Sequence, residues 1–164
     1  VKIHLACGRH YLDGWVNCDL VRHPKAKLPP DVICDVSDIP LSDGIADELL
    51  IVHILEHFYQ WETPKVLAEW ARLLRSGGKI VIEMPDVIKA AKNLIKGHSD
   101  QMAMWPLYGD QTLKDPLMCH KWGWSFNTIK PLLEQAGFRD IVERDPEWHG
   151  RKINRDFRVE AIKC

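Results

Sequence analysis

The chain has 164 residues, enough for one domain with a sizeable core. Hydrophobic residues make up 46% and charged residues 27%, ordinary values for a globular protein, and a net charge of −1 gives no general attraction for nucleic acid or membrane. Apolar runs fall far short of a membrane span and no secretory leader is expected. The five cysteines form no C-x-x-C pair, which argues against a disulfide framework or a cysteine zinc site and for a reducing, cytoplasmic setting.

In chain order, Lys2 to Leu5 alternates polar and apolar residues and runs into Ala6-Cys7-Gly8, a strand ending in a tight turn, with no helix expected before it. A second strand covers Trp15 to Cys18 and ends in Asp19. The link from Arg9 to Gly14 is too short for a helix, and Pro24, Pro29 and Pro30 discourage one in the next link. Val32 to Val36 and Asp47 to Val52 read as strands three and four. Thr63 followed by Pro64 reads as a hydroxyl cap with proline at the first helical position. Val66, Leu67, Trp70, Leu73 and Leu74 then recur at helical spacing, and Gly77-Gly78 is the expected stop. Lys79 to Met84 is strand five, and Val87 to Ile95 is a helix closed by Gly97. His98 to Gly123 has no clear period but is rich in aromatics, which argues against disorder and for a functional loop. Ser125 or Asn127 caps a helix reaching Ala136, where Pro131 is tolerable only in the first turn. Arg139 to Arg144 and Asp156 to Ile162 are the last two strands. No repeat, linker or second domain is visible: residues 1–164 read as one domain with a lid-like insertion at about 98–124.

Small residues at a strand's carboxyl end let a backbone approach a ligand closely, as in nucleotide sites. A nicotinamide fingerprint needs three glycines and an acid about 20 residues on. Here only Gly8 lies in the turn, and Asp19 comes much sooner.

The pattern L-x-C-G, five residues, G-W-x-N-x-D-L resembles the class I S-adenosylmethionine-dependent methyltransferases. Its closest likeness is to the short branch of the methyltransferase type 11 group, which usually has glycine where this chain has Ala6. The resemblance implies an α/β three-layer sandwich. Its Rossmann-like, mostly parallel seven-stranded sheet has the order 3-2-1-4-5-7-6, with the last strand antiparallel. It also implies S-adenosylmethionine as cofactor and S-adenosylhomocysteine as product, lying across the carboxyl ends of strands one to four. The implied contacts are Ala6, Cys7, Gly8, Asp19, Leu20, Asp35, Val36, His53 and Ile54. Asp19 would grip the ribose hydroxyl pair, and Asp35 and Val36 would meet the adenine. A turn cap is the competing role for Asp35.

His53-Ile54-Leu55-Glu56-His57 has two readings. It matches the inverted zinc-peptidase pattern H-x-x-E-H, which must lie inside a helix. The preceding run Leu49 to Val52 is β-like, and the methyltransferases carry a similar stretch beside the cofactor, so no metal is expected. Methyl transfer by direct in-line displacement needs alignment, and a base only where the acceptor must lose a proton. His57 and His120 are the candidates. Trp105, Tyr108 and Trp122 could wall a pocket for an unidentified acceptor, a small molecule being favoured, or could simply pack a lid. Two other functions stay open: a cofactor-binding protein of this fold without catalysis, and the zinc peptidase.

Overall fold

In the computed structural model, which describes residues 1–148, 150 and 152–164, seven strands form one sheet with the order β3-β2-β1-β4-β5-β7-β6. The strands are β1 (Lys2–Leu5), β2 (Val16–Asp19), β3 (Val32–Ile33), β4 (Ala46–Val52), β5 (Leu74–Pro85), β6 (Phe138–Arg144) and β7 (Asp156–Lys163). The first five are mutually parallel, and β7 runs antiparallel to both β5 and β6. Fold class, strand order and the reversed last strand are as expected. The helices are α1 (Thr63–Leu73), α2 (Val87–Ile95), α3 (Met104–Tyr108) and α4 (Phe126–Gln135). Among the described residues no helix is long and apolar enough to cross a membrane.

Side chains alternate across each strand, so the sheet has two faces with different clothing. Ile3, Leu5, Cys18, Leu49, Ile51, Ile80, Ile82, Phe157 and Val159 are buried in one cluster with Val66, Leu67 and Trp70 of α1 and Ile129 and Leu133 of α4. The opposite face carries the intervening residues. Asn17, His4, Leu50, Val81 and Glu160 form one row by register, and Val52, Glu83 and Arg158 form the next. The first two crossovers carry no helix, as their length and prolines predict. Loops cover this face instead. Asn17 Nδ2 donates to the carbonyls of Leu12 and Trp15 at 3.0 Å each, and its Oδ1 accepts from Leu12 N–H, which pins residues 9–14 down. The Trp148 ring lies against His4, with centroids 6.0 Å apart. The backbone N–H groups of Glu147 and Trp148 donate to the Glu83 carboxylate, and Arg158 Nη1 reaches it at 3.0 Å.

Four local expectations need correction. The third strand stops at Ile33, because the Asp35 carboxylate takes both the N–H and the hydroxyl of Ser37 at 2.8 Å and folds the chain into a turn. Thr63 does not cap α1: its hydroxyl donates back to the Tyr59 carbonyl, while Glu62 stands at the cap position and its carboxylate accepts from Tyr59 N–H. Gly77-Gly78 does not end that helix either. Leu74 is already extended and pairs with Ala46, after which the register jumps to Glu48 opposite Lys79. Gly78 is needed there because a Cβ would lie 2.9 Å from the Arg75 carbonyl. Lastly, Ser125 caps α4 in a capping box with Thr128, and Pro131 falls in the second turn. Its missing N–H deprives the Asn127 carbonyl of its usual partner, at a place where both residues are exposed and water can substitute. At the sheet's outer margin, β6 has a register shift between Arg139 and Val142, with Asp140 in the left-handed region at φ 52°.

Candidate functional site

At the carboxyl end of β1 the chain turns through two left-handed residues, Ala6 (φ 51°) and Gly8 (φ 54°). A Cβ on Gly8 would meet nothing within 4 Å, so that side of the turn is open. Cys7 N–H donates to the Cys18 carbonyl at 3.0 Å, which ties the turn to β2. Burial, with Asp19 nearby, pushes the Cys7 thiol up to about 11, so it stays protonated and inert. Asp19, the last residue of β2, accepts Gly8 N–H on one oxygen at 2.6 Å and Leu20 N–H on the other at 2.7 Å. Each oxygen keeps a further lone pair for a hydroxyl donor.

One strand over, Cys34 N–H donates to the Asp19 carbonyl at 2.9 Å. Asp35 is exposed and caps its own turn, the alternative raised by the sequence. Val36 is 8% exposed and packs in the core, its carbonyl held by Trp70 Nε1 at 2.9 Å. The structure therefore brings Gly8, Asp19 and Leu20 together directly, with Asp35 and Val36 on the neighbouring loop.

The carboxyl end of β4 holds a second cluster. His53 takes φ 55°, and its N–H donates to the Glu83 carbonyl at 2.8 Å. Its Nε2 lies 3.2 Å from Asp156 and its Nδ1 3.4 Å from Glu56. Burial alone would lower its pKa, but the hydrogen bond to Asp156 and the pairing with Glu56 raise it to about 9. Burial would raise Asp156, yet His53 and Arg155, the latter with two contacts of 2.6 Å, hold it down at about 2. Ile54, partly buried against the core, precedes a 3-10 turn over Leu55–His57. Strand end and 3-10 turn replace the helix that the zinc-peptidase pattern would need.

Glu56 in that turn is 2% exposed. Burial favours its neutral form, but His53 and the neighbouring imidazoles keep its pKa below the ordinary carboxylate value. Its backbone carbonyl accepts the N–H of Lys121 at 2.8 Å, while neither carboxylate oxygen accepts a hydrogen bond from a described residue. His57 Nδ1 is 3.2 Å from the Cys119 carbonyl, and His120 Nδ1 is 3.0 Å from the Pro106 carbonyl. A carbonyl only accepts, so each Nδ1 carries a hydrogen and Nε2 is the ring atom left for another partner. Burial lowers the His120 pKa, which keeps that ring neutral. The two rings meet edge to face with centroids 4.8 Å apart.

Residues 98–124 contact the carboxyl ends of β4 and β5 through Glu56, His57 and Val87. Within this arm α3 folds back on residues 118–120: His120 N–H donates to the Tyr108 carbonyl, and a Cβ at Gly109 would collide with the Met118 carbonyl at 1.8 Å. Trp105 and Tyr108 line one hollow with Met104 and Gln111. Trp122 lies outside it, 41% exposed and edge-on to Trp124. Spacing did not single out Glu56, Asp156 or Arg155 as site residues. Glu56 was in plain view inside H-x-x-E-H, whereas nothing local marks Asp156.

Residues 15–82 match a family model described as a methyltransferase domain. Among solved structures, an Archaeoglobus fulgidus S-adenosylmethionine-dependent methyltransferase superposes with TM-score 0.67 at 18% identity, over 99% of this chain and 85% of that one. A Pyrococcus horikoshii protein gives 0.68 at 17%, over 99% and 81%. A Burkholderia thailandensis 1,6-didemethyltoxoflavin N1-methyltransferase, solved with that substrate and S-adenosylhomocysteine, gives 0.67 at 17%, over 99% and 70%. Among curated proteins, no sequence matches.

Proposed function

For a chain that has the class I methyltransferase fold, we propose the matching activity: transfer of a methyl group from S-adenosylmethionine to an acceptor, with release of S-adenosylhomocysteine. The observation that carries this reading is the direct Gly8–Asp19 contact at the ends of β1 and β2. It sets an open left-handed turn beside a carboxylate with spare lone pairs, a cradle that suits a nucleoside. Asp19 and Leu20 would hold the ribose, and Asp35 and Val36 the adenine. Ala6, Cys7, Gly8, His53 and Ile54 would line the methionyl side. When bound, the cofactor supplies an activated methyl group, so the protein's share is alignment and exclusion of water.

The arm at 98–124 is suited to that share, because it packs where β4 and β5 end. We assign Trp105, Tyr108 and Trp122 to the acceptor side and take a small molecule as the acceptor. His57 and His120 are the groups that would accept a proton from it, through Nε2. We place the protein in the cytoplasm, a reading supported by five cysteines that form no disulfide.

Calorimetric titration tests the cofactor site. S-adenosylmethionine or S-adenosylhomocysteine should bind and raise the melting temperature, and NAD should not. Asp19→Ala should weaken binding about tenfold or more, since hydrogen bonds to a charged acceptor contribute about 1.5–3 kcal/mol. Unchanged affinity in a folded Asp19→Ala protein would remove Asp19 from the site.

A further inference from the structure

The pattern around Glu56 is unusual for a buried carboxylate. Both oxygens are shielded from water, and neither accepts a hydrogen bond from a described residue. Two imidazoles face it, His53 Nδ1 at 3.4 Å and His120 Nε2 at 3.9 Å. An ion-pair contact with His53 compensates part of its charge, but a buried carboxylate whose hydrogen bonds are not made still costs about 1–3 kcal/mol. The neighbouring His57 and His120 rings are each fixed through Nδ1 to a backbone carbonyl, which leaves each Nε2 for another partner. Metal-binding histidines have this arrangement, with the distal N–H orienting the ring and strengthening the ligand. One donor atom each from Glu56, His57 and His120 can be chosen so that all lie within 4.8 Å of one another.

We propose that Glu56, His57 and His120 form a binding site for a divalent transition-metal cation. Two imidazole nitrogens with one carboxylate select zinc, manganese or iron(II) over calcium or magnesium, which take oxygen donors. The zinc-peptidase pattern would instead pair His53 with His57 on one helix, an arrangement that the strand end and 3-10 turn do not provide. The ligand set here drops His53 and recruits His120 from the arm 63 residues beyond His57 (120 − 57). Metal–ligand bonds of about 2.0–2.2 Å put donors about 3.4 Å apart, so the widest pair closes by about 1.4 Å on binding. Three protein ligands leave a coordination position open. An acceptor oxygen or nitrogen there would be polarised by the cation in place of losing its proton to an imidazole. That consequence rests on the methyltransferase reading; the binding itself does not.

The test uses the metal alone, without cofactor. Co2+ titrated into the metal-free protein should give a visible absorption band that saturates at one equivalent per chain and is displaced by Zn2+. Glu56→Gln keeps the shape and removes the charge, and should weaken binding at least tenfold. His120→Ala should do the same, and near-ultraviolet circular dichroism checks that each variant is folded. A folded wild-type protein without a saturable band overturns the proposal. So does a band that persists in the His57→Ala/His120→Ala protein, or one with the charge-transfer signature of cysteine thiolate. Cofactor affinity, measured separately, fails or holds independently of these outcomes.

Discussion

On one face of the sheet, Ile3, Leu5, Leu49, Ile51 and Ile80 meet Trp70 and Leu133 in an apolar layer. On the other, the same strands present Asn17, His4, Glu83 and Arg158 under loops. Parallel sheets usually bury both faces under helices and are apolar on each. Here the crossovers leading into β2, β3 and β4 all lack helices, and this face is held by hydrogen bonds and paired charges. A helix layer stabilises through area removed from water and tolerates small shifts. A polar layer depends on every partner being in place, since a lost partner leaves a buried group unsatisfied. The difference also bears on the site. The loops over the polar face include residues 9–14, which continue directly from the Gly8 turn.

The largest expected effect is on the polar face. Glu83→Ala should cost about 3–5 kcal/mol in urea unfolding, because two loop N–H groups lose their acceptor, at about 1–3 kcal/mol each, and Arg158 keeps only Glu147 and Glu160 as partners. Adding Arg158→Met should recover part of that loss, a non-additivity that double-mutant cycles measure. Trp70→Ala, of similar cost on the apolar face, should show no such recovery with Arg158→Met. If the Glu83 and Arg158 costs simply add, the two faces do not differ in kind.

A smaller effect depends on pH. Burial, opposed by Asn17, lowers the His4 pKa to about 4 from 6.5. The unfolded chain therefore binds more protons between those values, and stability falls as pH drops through that window. The full loss is about 3 kcal/mol. His4→Leu should flatten this acid limb relative to wild type; equal slopes would show that the polar face does not bury His4 in solution.

The smallest effect lies where β1 leaves both faces. Ala6 is left-handed, which costs an alanine about 1–2 kcal/mol. Ala6→Gly relieves that strain but loosens the unfolded chain by about 0.4–1 kcal/mol. The net gain should lie between about 0 and 1.6 kcal/mol, seen as a slightly raised urea midpoint.

Most elements were legible because β-branched and apolar runs recur between prolines and glycines, whereas the sheet order came from the resemblance to the methyltransferases. Gly8 and Asp19 were visible at the ends of the first two strands, but the hydrogen bond between them was not. Other features were decided by distant partners. Leu74 leaves its helix because it pairs with Ala46, so a periodicity that includes Leu74 overshoots the helix end. His53 and Asp156 meet across 103 residues, and no local pattern encodes that contact. Lys2 and His4 alternate with Ile3 and Leu5, and nothing in that alternation shows that His4 and Asn17 are buried by loops folded back over them. Asp35 shows local chemistry overriding a β-like run, since its carboxylate reaches Ser37 before the strand can lengthen.

The left-handed Asp140 in β6 has a consequence for association between copies. An outermost strand offers unpaired N–H and C=O groups that another chain could extend. Between Arg139 and Val142 the ladder slips, and the flanking Arg139, Glu143 and Arg144 bring charge to the strand. A second copy arriving edge to edge would meet a kinked, charged margin that cannot be continued in register. At the opposite margin β3 is only two residues long. Both ends of the sheet are thus poor templates for growth into fibrils, one because it is short and the other because it is bent.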